Sequence, residues 1–292
     1  MSVKHHSFGF VLLLIFLVII TLKLLSGSLF VYAPERIQFV VYGQNTRLYS
    51  ISKQDDVNYY VAYAPDVKVV IPNGYGTYRI GSLSKLTQYE RKPELISKAF
   101  SAATSSFVTY YFYPANGDVY YGEDASTDYR KPTVQELFFS KSNARLLDRV
   151  YLFWRMTVAP TVSFQPLDIE LLTSKQNNDR ILSPDVFGDE YRGYLYNRTY
   201  RSERLRVQIK YSNNYDTAVM IGKILEGNGI RVVDIAQANN DLKQCSIIVK
   251  NSLQAQTVHD VSTFFGCIVR QGSVERSDII LELGTLEKSW EL

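Results

Sequence analysis

The sequence predicts an α/β protein with a single N-terminal transmembrane helix followed by two extracytoplasmic α/β domains, the second a small two-layer β-α-β-β-α-β domain. Three observations predict it. One uninterrupted apolar run, Phe8 to Leu22, extended by Leu24, Leu25 and Leu29 to Tyr32, has no equal elsewhere in the chain. Behind it, alternating strand patterns interleave with helical registers. From Leu205 the alternation tightens, with short links between elements.

The apolar run has the length a membrane requires. A bilayer core of about 30 Å takes roughly 20 apolar residues in a helix, and a helix lets one segment satisfy its own backbone in lipid. Lys23 is the one charge inside, close enough to the far end for its stem to snorkel to the interface. Phe30 and Tyr32 fall where interfacial aromatics sit. The preceding tail carries Lys4, His5 and His6 and no acid. By the positive-inside rule the N-terminus is then cytoplasmic and residues 33–292 lie outside, giving a single-pass protein of the cell membrane. Two rivals stand beside this reading. A cleaved signal peptide finds a loose site at Val31-Tyr32-Ala33, but Pro34 would follow the cut and the apolar core is long for an h-region. A buried core helix lacks a second apolar helix to pack against. The uncleaved anchor is preferred.

Composition narrows the rest. Of 292 residues, those beyond the anchor (1–33) suffice for one large or two ordinary domains. A net charge of +3 gives no strong field for nucleic acid, so no nucleic-acid partner is expected. The 22 Tyr and 15 Phe suit half-buried strand faces better than sugar-binding platforms. Cys245 and Cys267 could pair in an extracytoplasmic compartment, but each opens an apolar run, CSIIV and CIV, and free buried thiols are expected. His259 is expected on the surface of a helix. With His5 and His6 in the tail there is no His/Cys ligand pattern, and no metal site is expected.

In chain order, 36–42, 46–52, 57–64 and 67–71 alternate as strands, with a turn at 43–45 and a break at Pro72-Asn73-Gly74. After residues 75–79, Ile80, Leu83 and Leu86 keep a helical register. A second helix follows Pro93 with Leu95, Ile96, Ala99, Phe100 and Ala103 on one face. Residues 107–113 read as a strand and 115–132 as a loop. Val134–Phe139 and Ala144–Met156 read as helices, the second with Leu146, Leu147, Val150 and Phe153 on one side. Residues 157–185 read as irregular, which makes 34–185 the first domain and 186–203 a charged, aromatic linker. Asn197-Arg198-Thr199 is a sequon of a kind that arises by chance.

In the second domain, 204–292, LRVQIKY is a strand and Asp216 caps a helix over Thr217–Asn228, closed by Gly229. IRVVDIA and CSIIVK are strands, Ala255–Phe265 is a helix ended by Gly266, and CIVRQ and DIILELG complete the set.

No standard catalytic signature appears: no GxSxG, HExxH or GxxxxGK[ST], and no Cys–His pair. The glycines of GNGIRV, from Gly227, follow a helix instead of opening one, so a C-terminal turn is preferred to a phosphate loop. The most suggestive stretch is APDVKVVIPNGYGTYRIGSL. A strand end at Asp66 leads to a turn holding Gly74 and Gly76, then to a helix with Arg79 at its entrance. Helix N-termini and an arginine fork both suit phosphate. These four residues are the candidate ligand-binding set, weighed against a plain turn, a strand-end cap and a surface charge.

The stretches LRVQIKYSNN, GIRVVDIAQAN, CSIIVKN and SDIILELG, closing with Asp278 to Gly284, resemble the LytR C-terminal domain over residues 205–285. Tyr211-Ser212-Asn213-Asn214 replaces the Asn-Gly turn usual there. Residues 36–114, with strand, proline–acid strand end, glycine turn, helix and strand, resemble a reduced LytR-CpsA-Psr domain. The resemblance implies a phosphotransferase that moves a glycopolymer from a polyprenyl-pyrophosphate carrier to the wall, arginines holding pyrophosphate and acids holding magnesium. Here Pro65-Asp66 lacks the arginine of that family's Pro-Arg-Asp strand end. Arg79 falls where the family has a basic residue. The later arginine pair is missing, although Arg145, Arg149 and Arg155 share a helix. Several cations are needed to stabilise transferring phosphate. The expectation is therefore a non-catalytic binding or scaffold module of cell-wall or envelope polymer assembly, with no catalytic residue and no cofactor. Its partners would be polyprenyl-phosphate lipid, wall glycopolymer or an envelope protein. The alternatives are an active Mg-dependent phosphotransferase and a purely structural interaction protein.

Overall fold

The computed structural model describes residues 3–55, 57–122, 129–157, 163–169, 173–176, 179–238, 242–250 and 255–292, with backbone alone at 3–11, 17, 21, 24, 163, 173–176 and 179. The chain is mixed α/β, and among the described residues its strands form three sheets.

Helix α1 (Val3–Ser26) leads through Gly27 and Ser28 into the single turn α2 (Leu29–Tyr32). Large apolar side chains of α1 from Leu12 to Leu22 are exposed where they are described. Among the described residues no helix is long and apolar enough to cross a membrane. The expected span falls partly outside them, since the side chains of residues 8–11, 17 and 21 are not described.

Strands β1 (Arg36–Val41), β2 (Thr46–Ser52) and β3 (Val57–Tyr63) form an antiparallel meander. Then come β4 (Lys68–Ile71), β5 (Gly76–Arg79), a 3₁₀ turn (Ile80–Ser82), α3 (Leu83–Glu90), α4 (Glu94–Thr104) and β6 (Val108–Tyr113). A π-helical turn (Gln135–Phe139), β7 (Lys141–Ser142), α5 (Leu146–Thr157), β8 (Ser163–Pro166), β9 (Thr173–Gln176) and β10 (Asp179–Leu182) complete this half. The first sheet runs β7-β6-β1-β2-β3-β8, with β6 parallel to β1 and β8 parallel to β3; the second runs β5-β4-β10-β9.

β1 is buried along its whole length because both faces of the sheet are covered. Its period-2 pattern feeds two cores. Ile37, Phe39 and Val41 join Tyr49, Phe112, Leu152 and Met156 on the α5 side, while Val40 joins Leu48, Val61, Tyr63 and the α4 face on the other. Leu95, Ile96, Ala99, Phe100 and Ala103 of α4 enter that second core as the 3.6-residue period predicts.

Three readings of this half are corrected. Residues 76–79 form a strand, β5, hydrogen-bonded to β4 through a turn with Asn73, Gly74 and Gly76 at positive φ, while the expected helix does begin directly after Arg79, as the 3₁₀ turn that runs into α3. Residues 157–185 are not irregular where described: they hold β8, β9 and β10, of which β8 and β10 pair with β3 and β4 far back in the chain while β9 pairs with β10. The core-facing side of α5 is Asp148, Tyr151, Leu152 and Met156, whereas Leu146 and Val150 of the expected apolar side are exposed.

Residues 186–203 fall largely in two helices, α6 (Pro184–Glu190) and α7 (Arg198–Glu203), with Phe187, Leu195 and Tyr200 buried. Asn197 of the sequon is 2% exposed and caps α7 through Thr199 N–H at 2.9 Å, so burial shields it from glycosylation. Its own N–H donates to Asn228 O at 3.0 Å, and Asn228 Oδ1 accepts from Phe107 N–H at 3.2 Å, joining both halves.

The C-terminal half contains β11 (Arg206–Tyr211), α8 (Tyr215–Gly227), β12 (Arg231–Gln237), β13 (Ser246–Val249), α9 (Gln256–Phe265), β14 (Ile268–Gln271), β15 (Ile279–Glu282) and α10 (Leu286–Ser289). The five expected strands and two expected helices are all present, in the order β-α-β-β-α-β-β, followed by the short α10. β15 lies at the centre of the order β12-β11-β15-β13-β14, parallel to β11 and antiparallel to β13. The cap of α8 is Asn214, accepting from Thr217 N–H at 2.9 Å; Asp216 instead lies in the first turn. Cys245 and Cys267 are disulfide-bonded, not free, with Cα atoms 4.7 Å apart. Each immediately precedes a strand, and those strands pair in parallel with Ser246 opposite Ile268, which brings the two sulfurs together.

Candidate functional site

The β4–β5 hairpin divides the four candidate ligand-binding residues into two pairs. At its open end Asp66 ends the link from β3 and Arg79 ends β5, and Arg79 Nη1 lies 3.4 Å from Asp66 Oδ1. A third segment closes this corner. Gly122 N–H donates to Asp66 Oδ2 at 3.1 Å, and the Arg79 guanidinium lies 5.0 Å from the centre of the Tyr121 ring. The approach is tight: Tyr120 N–H donates to Gly81 O at 2.9 Å, and a Cβ on Gly81 would collide with Tyr120 O. Both side chains of the ion pair remain partly exposed, at 41% for Arg79 and 28% for Asp66.

Gly74 and Gly76 sit at the hairpin tip. Lys68 pairs with Arg79 and Ile71 with Gly76, so the glycines lie three residues along, about 10 Å from the Asp66–Arg79 corner. Two turn amides already have an acceptor, since Asn73 and Gly74 N–H donate to Glu291 O at 2.6 and 2.9 Å. The expected cradle is therefore not assembled. Asp66 and Arg79 meet each other and the 120–122 loop, while the glycines meet the C-terminal segment.

Chemically, the Arg79 guanidinium at the corner is already matched by the Asp66 carboxylate, with Lys68 as its cross-strand neighbour. The helix arginines lie elsewhere. Arg149 donates to the carbonyls of Ala144, Leu137, Phe138 and Ser140, Arg155 to Ser52 O, and Arg145 Nη1 lies against Gly27. Among the described residues no group of three or more His, Cys, Asp or Glu could hold a metal ion.

A second concavity was not visible in the sequence. A groove of about 720 Å³ runs between the end of α4 (Thr104, Ser105), the α6–α7 segment and the end of α8. Its charges mix: Lys223 pairs with Asp185, and Arg192 with Asp189 at 2.6 Å. Burial lifts the Glu226 carboxyl above its ordinary value, against the opposing pull of Arg192. Arg201 lies over the Tyr196 ring at 5.0 Å. The lining comes from three distant segments, so no local pattern announces it.

No family model matches the chain, and no curated protein matches it. The chain is similar to a solved chain from Eubacterium siraeum DSM 15702, named a "putative transcription regulator", over 53% of this chain and 88% of that one, at 9% identity and a TM-score of 0.32. A likeness this loose carries no argument about fold or function.

Proposed function

We propose that this chain is a single-pass, membrane-anchored envelope protein with a cytoplasmic N-terminus, acting as a non-catalytic binding or scaffold module of the LytR-CpsA-Psr type in cell-wall or envelope polymer assembly. The observation that carries the non-catalytic part is the Asp66–Arg79 ion pair. Phosphoryl transfer needs a surplus of positive charge where the anion develops. Here the one arginine is neutralised by the neighbouring carboxylate, and the α5 arginines are bound to backbone carbonyls or lie near Gly27. Anchoring is supported by α1, whose described large apolar side chains face solvent instead of the protein body. The ligand in view is a polyprenyl-phosphate lipid or a wall glycopolymer, with an envelope protein as the other kind of partner.

Full-length protein in detergent, titrated with polyprenyl pyrophosphate with and without Mg²⁺, tests this reading. Saturable binding that weakens in Asp66→Ala and Arg79→Ala, with no polyprenyl product released, is expected. Product release would establish the phosphotransferase alternative. Absence of binding would leave a structural interaction protein.

A further inference from the structure

We infer that the outward face of α5, together with α2, is a docking surface for the headgroup region of an anionic bilayer. The inference rests on the anchored reading above and says how the folded body sits on the membrane. Its basis is the wrong-way amphipathicity of α5. Leu146, Val150 and Trp154 recur at i, i+4 and i+8 and are 68%, 38% and 44% exposed. At 100° per residue they span one stripe, turned away from the core residues Leu152 and Met156.

Continuity with the anchor argues for lipid as the occupant. Only Gly27 and Ser28 separate α1 from α2, so α2 starts within about 10 Å of the end of α1. The buried Asp148 carboxylate then holds α2 to α5, accepting from Leu29 N–H at 2.8 Å and from Arg145 N–H at 3.2 Å. Phe30 meets Tyr151 edge-on at 5.3 Å, and Tyr151 lies 6.0 Å from Trp154. Exposed Phe30, Val31 and Tyr32 extend the stripe toward the anchor. An anchored α1 therefore delivers this surface to the interface by connectivity. Tryptophan and tyrosine favour that depth.

Charge agrees with the placement. Lys23 precedes the junction, Arg145 lies against Gly27, and Lys53 donates to Ala33 O at 2.8 Å; all three are exposed. The nearby acids are buried and hydrogen-bonded, Asp148 by backbone amides and Glu35 by the Ser52 hydroxyl and Arg198 N–H, so the exposed charge at the junction is positive.

The test places full-length protein in phosphatidylcholine vesicles with added phosphatidylglycerol, using lipids brominated high on the acyl chain. Trp290 is 3% exposed, so the signal that differs between wild type and Trp154→Phe belongs to Trp154. Docking predicts that brominated lipid quenches Trp154 emission roughly two-fold or more. The double variant Leu146→Glu/Val150→Glu should still float with the vesicles through α1 while Trp154 escapes quenching. Flotation with unquenched Trp154 in the wild-type chain overturns docking and leaves the anchor standing. Failure to float overturns the anchor and the docking with it.

Discussion

Glu287 is the most informative single position in the C-terminal half. Its side chain, in α10, is 7% exposed and accepts from three successive backbone amides ahead of α8: Ser212, Asn213 at 2.9 Å and Asn214 at 3.0 Å. One carboxylate oxygen takes the first amide and the other takes the remaining two. In Glu287→Gln one of those oxygens becomes an NH₂ that faces a donor, leaving at least one amide unpaired at about 1–3 kcal/mol. The surviving bonds lose their charge, at about 1 kcal/mol each. The favourable term at the start of α8 is lost as well, a further ~0.3–1 kcal/mol. A loss of at least about 3 kcal/mol is expected, which at a urea slope of ~1–3 kcal/mol/M lowers the midpoint by about 1 M or more. Trp290 lies in the same core as Leu286 and reports this half once Trp154 is replaced by Phe. Urea unfolding of full-length protein followed by Trp290 fluorescence measures the shift. A midpoint unchanged by Glu287→Gln would refute the reasoning, because it would mean the amides find water at no cost.

Other expectations follow from single features. The Cys245–Cys267 bond closes a loop with a sequence separation of 22, so Cys245→Ala/Cys267→Ala should cost about 3 kcal/mol in the same unfolding assay. The Tyr63 hydroxyl is buried with no hydrogen-bond partner among the described residues, and burial raises the pKa of that group. Tyr63→Phe should therefore stabilise the first half by about 1 kcal/mol, and a loss of stability would reveal a partner for the hydroxyl. Glu226 has a folded pKa raised above its ordinary value near 4.5. Its ionisation opposes folding: the penalty is absent below that value and grows as pH rises through the folded pKa. Glu226→Gln should gain stability relative to wild type between acid and neutral pH, by under about 1 kcal/mol given its partial exposure. A pH-independent difference would refute this.

Where local periodicity carries the information, the sequence was legible. β1 to β4, α3, α4 and β6 follow from alternation or from a 3.6-residue face, because each buries its apolar set against whatever covers it. β8 and β10 were not legible. Four-residue strands exist through partners such as Val57 and Lys68, roughly a hundred residues earlier, and no local pattern records such pairing. α5 has apolar residues on two sides, and periodicity alone could not say which side meets the core.

For the candidate site, the chemistry of Asp66 and Arg79 was legible but the geometry was not. Reading residues 76–79 as β5 moves Gly74 and Gly76 to the far end of a hairpin. A turn leading directly to a helix would have kept all four residues together. The disulfide was missed for a related reason. Two cysteines that open apolar runs look like core residues until parallel register places one beside the other.

The central position of β15 bears on how the molecule is made. As the chain emerges from synthesis N-terminus first, β11 can pair with β12, and β13 with β14, before the strand joining the two pairs is made. Those ribbons carry open edges suited to pairing with other chains until Ile279–Glu282 fills the gap. A frameshift or stop codon upstream of Ile279 would therefore do more than trim a terminus. It would leave two half-sheets whose unpaired edges invite association with other chains.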